Sequence, residues 1–300
     1  MKQTLHHTIL ILFLCQLICA QTTATIKNKT TNEPVPYVNI FIEGESTGTS
    51  ANEEGFFTLP SAGLDKTLVL SAIGYETAKI PARNLTNTIL LTPAAIQLHE
   101  VVINCKKEKL ELKTGSFKNR DIIHYFGCGV LPWMIGRFFP YDTTYAKTPY
   151  LQLIKINTNS DVKTAIMNIR LYLPDENGKP GKALHNENIL FSVKKGDRIT
   201  EVNLAPLNIT FPEQGLFVVT EWFIIEQNKY VYRYTEHDTG KVHKDGISYE
   251  PAIGAISDAT GTNSWRYSGG NWTNTFKRYD INRKDKGDHL LMAAELTLSN

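Results

Sequence analysis

The run from Glu33 to Ile103 constrains this chain most. It reads EPVPYVNIFIEGESTGTSANEEGFFTLP, then LVLSAIGYETAKIP, then TILLTPAAIQLHEVVI. Short stretches rich in β-branched and aromatic residues (Val38–Ile42, Phe56–Leu59, Leu68–Ala72) alternate with Gly44, Gly48, Asn52, Gly55 and Gly74. Strands this short, separated by glycine turns and with almost no helical period, predict an all-β sandwich. Thr23 to Lys27 supplies a first strand, and Ala78–Ile80, Ile89–Leu91 and Val101–Ile103 complete the set. Gly55 and Gly74 are expected where a Cβ would penalise the backbone. Pro34 and Pro36 stiffen the chain entering Val38, at a strand edge. Phe56 and Tyr75 are expected to be core or corner aromatics.

The start of the chain reads differently. A weakly basic opening leads into the mostly apolar Thr8–Ile18 and ends in the small residue Ala20. This is the pattern of a secretory signal peptide over residues 1–20, cut before Gln21. The competing reading is a membrane anchor, for which the stretch is short against the ~20 residues a spanning helix needs. No later segment is long and apolar enough to span a bilayer as a helix. The expectation is an exported protein, in the periplasm or at the outer membrane or cell surface.

Charge narrows the partners. With 32 basic and 30 acidic residues the balance is nearly even, which argues against general nucleic-acid or anionic-membrane binding. Cys105 and Cys128 are left after cleavage. An oxidising compartment permits a disulfide between them, and two unpaired buried thiols are the other reading. Neither spacing nor neighbouring histidines suggest a metal or redox centre.

The segments PVPYVNI, GTSANEEGFF, SAIGYE and LHEVVI resemble the carboxypeptidase-regulatory-like domain over roughly residues 22–104. That domain commonly opens secreted and outer-membrane proteins of Bacteroidetes, including TonB-dependent receptors. The resemblance implies a seven-stranded, transthyretin/Ig-like β-sandwich over residues 21–104. It does not imply peptidase chemistry. A zinc carboxypeptidase needs a His/Glu/His ligand set and a catalytic carboxylate, and His99, beside Glu100, is the module's lone histidine.

Residues 105–121 are charged and read as a linker. Ile122–Pro140 is apolar and aromatic but broken by Gly127, Gly129, Pro132 and Gly136. It is expected to be a segment or loop packed on the second core, or else an exposed patch for a partner. Strand patterns return at Leu151–Ile156, Ala165–Leu173, Ile189–Val193, Ile199–Leu204, Leu216–Ile225, Lys229–Tyr234 and Leu290–Leu298. The last is expected to pair back into the sheet. MNIRLYLPDENGKPGKAL and LNITFPEQGLFVVTEWF are similar to β-sandwich domains of secreted Bacteroidetes proteins. That resemblance implies a jelly-roll-like sandwich over residues 122–300, with no established activity.

Three residues stand out as a candidate ligand surface. Trp265, Tyr267 and Trp272 lie among Gly, Ser and Asn in GTNSWRYSGGNWTNTF. Aromatic rings beside amides and hydroxyls can stack on a sugar and bond its hydroxyls, although the same rings can cap a core. Trp222, inside an apolar strand, is expected in the core. Asp175, Asn177 and Gly178 make a tight turn rather than a calcium loop, since the EF-hand spacing is missing. His185, His237 and His243 do not converge. The sequence contains no nucleophile elbow, P-loop or dinucleotide fingerprint. No catalytic, cofactor or metal residue is therefore assigned. The expectation is a noncatalytic envelope protein binding another envelope protein or a glycan. The alternatives are a carbohydrate-binding protein using the three aromatics, or a hydrolase with a carboxylate pair assembled in space.

Overall fold

The structure is a computed structural model. It describes residues 22–94, 110–274 and 289–300, apart from residues 46, 60–62, 64, 197, 237 and 259. The expected leader, the strand at Val101–Ile103, His99 and Cys105 lie outside the described residues.

Seven strands build the first unit: β1 (Thr22–Asn28), β2 (Asn39–Ile42), β3 (Gly48–Ser50), β4 (Phe56–Leu59), β5 (Thr67–Ser71), β6 (Ala78–Pro81) and β7 (Thr88–Leu91). They form two sheets, ordered β4–β1–β7 and β3–β2–β5–β6. Between them lie Ile26, Ile40, Ile42, Phe57, Leu59, Leu68, Leu70 and Leu91. Each such side chain contributes about 1.5–3 kcal/mol by leaving water. Alternation along β4 corrects one expectation. Phe57 fills the core, whereas Phe56 points outward and is 44% exposed. Tyr75 takes the corner role, its hydroxyl accepting from Asn28 Nδ2 at 3.1 Å. Gly55 has φ +72°, and a Cβ there would collide with the Ile26 carbonyl.

The second unit opens with β8 (Glu111–Thr114), β9 (His124–Cys128), β10 (Met134–Phe139), β11 (Tyr150–Asn159) and β12 (Thr164–Pro174). Next come β13 (Pro180–Ala183), β14 (Ile189–Lys194), β15 (Arg198–Asn203), β16 (Leu216–Trp222) and β17 (Lys229–Thr235). It closes with β18 (Val242–Asp258), β19 (Ser264–Ser268), β20 (Asn271–Asn274), β21 (His289–Met292) and β22 (Ala294–Ser299). One antiparallel sheet runs β13–β12–β16–β10–β19–β20, with β14 beside β12. The other runs β17–β18–β11–β22–β8, with β15 on β11 and β9 and β21 on β18. The chain crosses repeatedly between the sheets, in jelly-roll-like fashion, and one apolar core joins their inner faces.

Several boundaries move relative to the sequence reading. Four residues of the expected linker, Glu111–Thr114, are sheet: Leu112 in β8 pairs with Leu298 and packs on the core. The glycine-broken Ile122–Pro140 holds two strands, β9 and β10, with Gly129 and Pro132 in the connection between them. The long β18 was not foreseen, since Gly246, Pro251 and Gly254 interrupt its pattern. The closing strand pairs back as expected, but in two pieces, β21 and β22. Past Tyr249, β17 and the first half of β18 form a ribbon on which Tyr230, Tyr232, Tyr234 and His243 follow one another at 6.2, 6.0 and 4.8 Å.

Two polar groups sit deep in this unit. Arg137 faces the inner side of β10 and donates to the carbonyls of Gly115, Met292 and Ala294 at 3.2, 3.3 and 2.8 Å. Burial pushes its pKa down to about 10, and three carbonyls stand in for the water it gives up. Cys128 is buried and, among the described residues, has no disulfide partner. Burial pushes its pKa up, and the charge of nearby Glu250 adds to this.

Glu250 itself is 9% exposed and accepts from Ser248 Oγ at 3.2 Å. Burial raises its pKa, outweighing that hydrogen bond. The folded state therefore holds the proton more tightly than the unfolded chain. This contribution is complete below the ordinary glutamate pKa of about 4.3 and is lost as pH rises through the raised folded value. Wild type should thus gain stability relative to Glu250→Gln as pH falls from about 7 to about 4. Urea midpoints measured across that range test this, and identical pH slopes for the two proteins would refute it.

Candidate ligand site between the two units

The outer face of the β2–β5 sheet in the first unit is also buried. β2 alternates so that Ile40 and Ile42 enter its own core while Asn39 and Phe41 face the second unit. There they meet the outer face of β16, where Glu221, and Phe223 just past the strand's end, lie opposite to Trp222. Asn39 Nδ2 donates to Glu221 Oε1 at 2.6 Å. Ser50 Oγ donates to Asn39 Oδ1 at 2.5 Å and accepts from the Ile224 N–H at 2.8 Å. Tyr37 stacks on Phe223 with centroids 4.7 Å apart.

Glu221 is 1% exposed, so its charge must be met inside the protein. Arg170 on β12 meets it with two parallel bonds, Nε to Oε2 at 2.7 Å and Nη2 to Oε1 at 2.5 Å. Asn168 Nδ2 adds a bond to Oε2 at 2.9 Å. A fork-on-fork pair with further donors is the arrangement that offsets desolvation. Burial alone would push the Arg170 pKa down. The neighbouring charge of Glu221, with its hydrogen bonds and those of Tyr172, holds it above the ordinary value.

Arg170 also faces a partly open cavity of about 430 Å³ lined by both units. The first unit contributes Ser71 to Tyr75. The second contributes Tyr172 beside Arg170, Lys182 and Asn186 from the region of β13, Tyr267 from β19 and Trp272 from β20. Tyr267 and Trp272 are cross-strand partners with centroids 5.2 Å apart and planes at 56°. Trp272 also meets Tyr172 at 6.0 Å, edge-on at 75°. A Cβ at Gly136 would sit 3.0 Å from Val219 and 3.8 Å from the Trp272 ring. Burial raises the pKa of Tyr267, which keeps its hydroxyl protonated. Gly74, with φ +77°, closes the seam, and any Cβ there would strike the Asn186 carbonyl.

Of the three aromatics singled out in the sequence, the structure places two together. Tyr267 and Trp272 are half-buried and line the cavity. Trp265 is 8% exposed and packs edge-on against Phe217 at 6.0 Å, within the cluster on that sheet face. Arg170, Tyr172 and Glu221 were not singled out. Their signals were the polar alternation Asn168, Arg170, Tyr172 and the lone acid in LFVVTEWFII. Asp175 caps its own turn, accepting from the N–H groups of Asn177 and Lys179 at 2.8 Å each. Among the described residues no three His, Cys, Asp or Glu side chains gather as a metal site would need. Among them, too, no helix is long and apolar enough to cross a membrane.

The fold and cavity define a two-unit, all-β protein with a pocket between its sandwiches. Residues 23–103, which hold the first unit, match the CarboxypepD_reg-like domain. A stretch of 91 residues is 36% identical to the TonB-dependent receptor SusC of Bacteroides thetaiotaomicron, covering 30% of this chain and only 9% of that receptor. Solved capsid structures of infectious bursal disease virus align over 93% of this chain. The Gx strain structure does so at 11% identity over 64% of its own chain with TM-score 0.21, and a VP2 subviral particle at 10% over 63% with TM-score 0.24. Scores this low carry no argument.

Proposed function

We propose that this chain is a noncatalytic binding protein of the cell envelope and that the cavity between its units is where it binds. The observation that carries the reading is the make-up of that cavity. The functional side chains of its wall are four aromatic rings, hydroxyls, an amide, a guanidinium and an ammonium. Such a set recognises and orients a ligand. The similarity of the first unit to part of an outer-membrane receptor supports an envelope setting. A second reading, a carbohydrate-binding protein, is favoured by the position of Tyr267 and Trp272 on the cavity wall.

In-cell crosslinking of the tagged mature chain tests the proposal. One envelope component, protein or polysaccharide, should recur in the captured material across replicates. Material indistinguishable from that of an untagged control would sink it.

A further inference from the structure

Resting on that reading, we infer that the cavity takes a saccharide ring without net charge. The rings come first. Tyr172, Tyr267 and Trp272 meet at 56° and 75° rather than stacking face to face. They form an aromatic corner against which the C–H face of a sugar can lie. The volume of about 430 Å³ falls in the range of small-ligand sites.

Hydrogen bonding comes second. A guanidinium carries five N–H donors. Arg170 spends two on Glu221 and one, from Nη1, on the Tyr172 hydroxyl at 3.3 Å. Two donors remain on a side chain that is 4% exposed and lines the cavity. The Tyr172 oxygen accepts from Arg170, so its own proton is left to donate. Asn186 adds an amide that both donates and accepts. A ring bearing several hydroxyls matches this mixed set.

Charge decides the subclass. Arg170 is the buried cation of the wall, and Glu221 already neutralises it at 2.5 Å. A carboxylate or phosphate entering here would lose its water against a pair with no net charge, a costly exchange. Lys182 lies among the exposed residues of β13, at the edge of the cavity. A neutral sugar brings no charge to be desolvated against this pair.

The experiment is titration of the mature chain with neutral di- and trisaccharides and with their uronic-acid counterparts, by calorimetry and tryptophan fluorescence. A neutral saccharide should bind. Trp272→Ala should weaken it about tenfold or more, and Trp272→Phe, which keeps a ring, much less. Lys182→Ala should change the affinity by less than about twofold. Unfolding midpoints of the variants control for folding. Binding confined to uronic-acid sugars, and lost in Lys182→Ala, would overturn the assignment of a neutral ligand. If no saccharide binds while crosslinking still captures an envelope component through wild type and not Trp272→Ala, the saccharide is overturned and the binding reading stands. If neither binds, both fall.

Discussion

Trp222→Ala should destabilise the chain by about 4–6 kcal/mol, the largest loss expected from any single change discussed here. Trp222 is fully buried in the core of the second unit. Its ring stacks on Trp133 at 4.6 Å and 12°, and Trp133 in turn carries the Arg266 guanidinium at 5.3 Å. Removing so large a buried ring costs about 3–5 kcal/mol through lost transfer energy and the void left behind. The indole N–H adds a separate loss. It donates to the Pro251 carbonyl at 2.6 Å and so ties β16 to β18 in the opposite sheet. Trp222→Phe isolates that bond, because it keeps most of the apolar volume and should cost only about 1–3 kcal/mol. Urea unfolding of the three proteins separates the two contributions. Equal midpoints for Trp222→Phe and Trp222→Ala would mean that ring volume matters little here.

Glu221→Ala should cost about 3–5 kcal/mol for a different reason. Little packing is lost. The damage is that the Arg170 guanidinium keeps its charge with no counter-charge, and Asn39 and Asn168 each lose an acceptor. The pair itself is worth far less than its rupture suggests, because two buried charges give up their hydration to meet. The double variant Arg170→Met with Glu221→Leu should therefore recover part of the stability lost in Glu221→Ala, with Asn39 and Asn168 still short of an acceptor. The same double variant should lose saccharide binding, since the cavity loses its buried donor. Stability partly restored while binding stays absent is the expected pair of results. A double variant less stable than Glu221→Ala would refute this account of the interface.

Six of the first unit's seven strands were legible in the sequence, whereas β3 (Gly48–Ser50) fell among residues read as turn. The unit's signals are local: glycines at positive φ such as Gly55, and runs such as Val38–Ile42 whose composition suits strands. What could not be read locally was the second use of those strands. Asn39 and Phe41 alternate with Ile40 and Ile42 as outward residues do on any sandwich, and nothing in the pattern says that the outward face is covered. The same gap hid the site. Arg170 and Tyr172 look like a solvated polar face until another sheet is laid over them. Tyr267 and Trp272 were found because aromatics beside Gly and Asn are conspicuous by composition. Trp265 shares that composition and differs only in where its strand turns it. β18 was missed because Gly and Pro weaken a strand pattern over short windows, whereas long-range pairing with β11, β9 and β21 overrides them.

Gly74 makes one more point. In isolation it needs only to let the backbone turn before Tyr75. In this chain the bare Cα also lets Asn186 of the other unit settle against it, and Asn39, Ser50 and Tyr37 are committed to the same seam. The first unit is therefore not a portable cassette. Grafted onto another body, it would arrive with an apolar and amide face cut for one neighbour, and Tyr37 and Phe41 would meet water instead of Phe223 and Gly270.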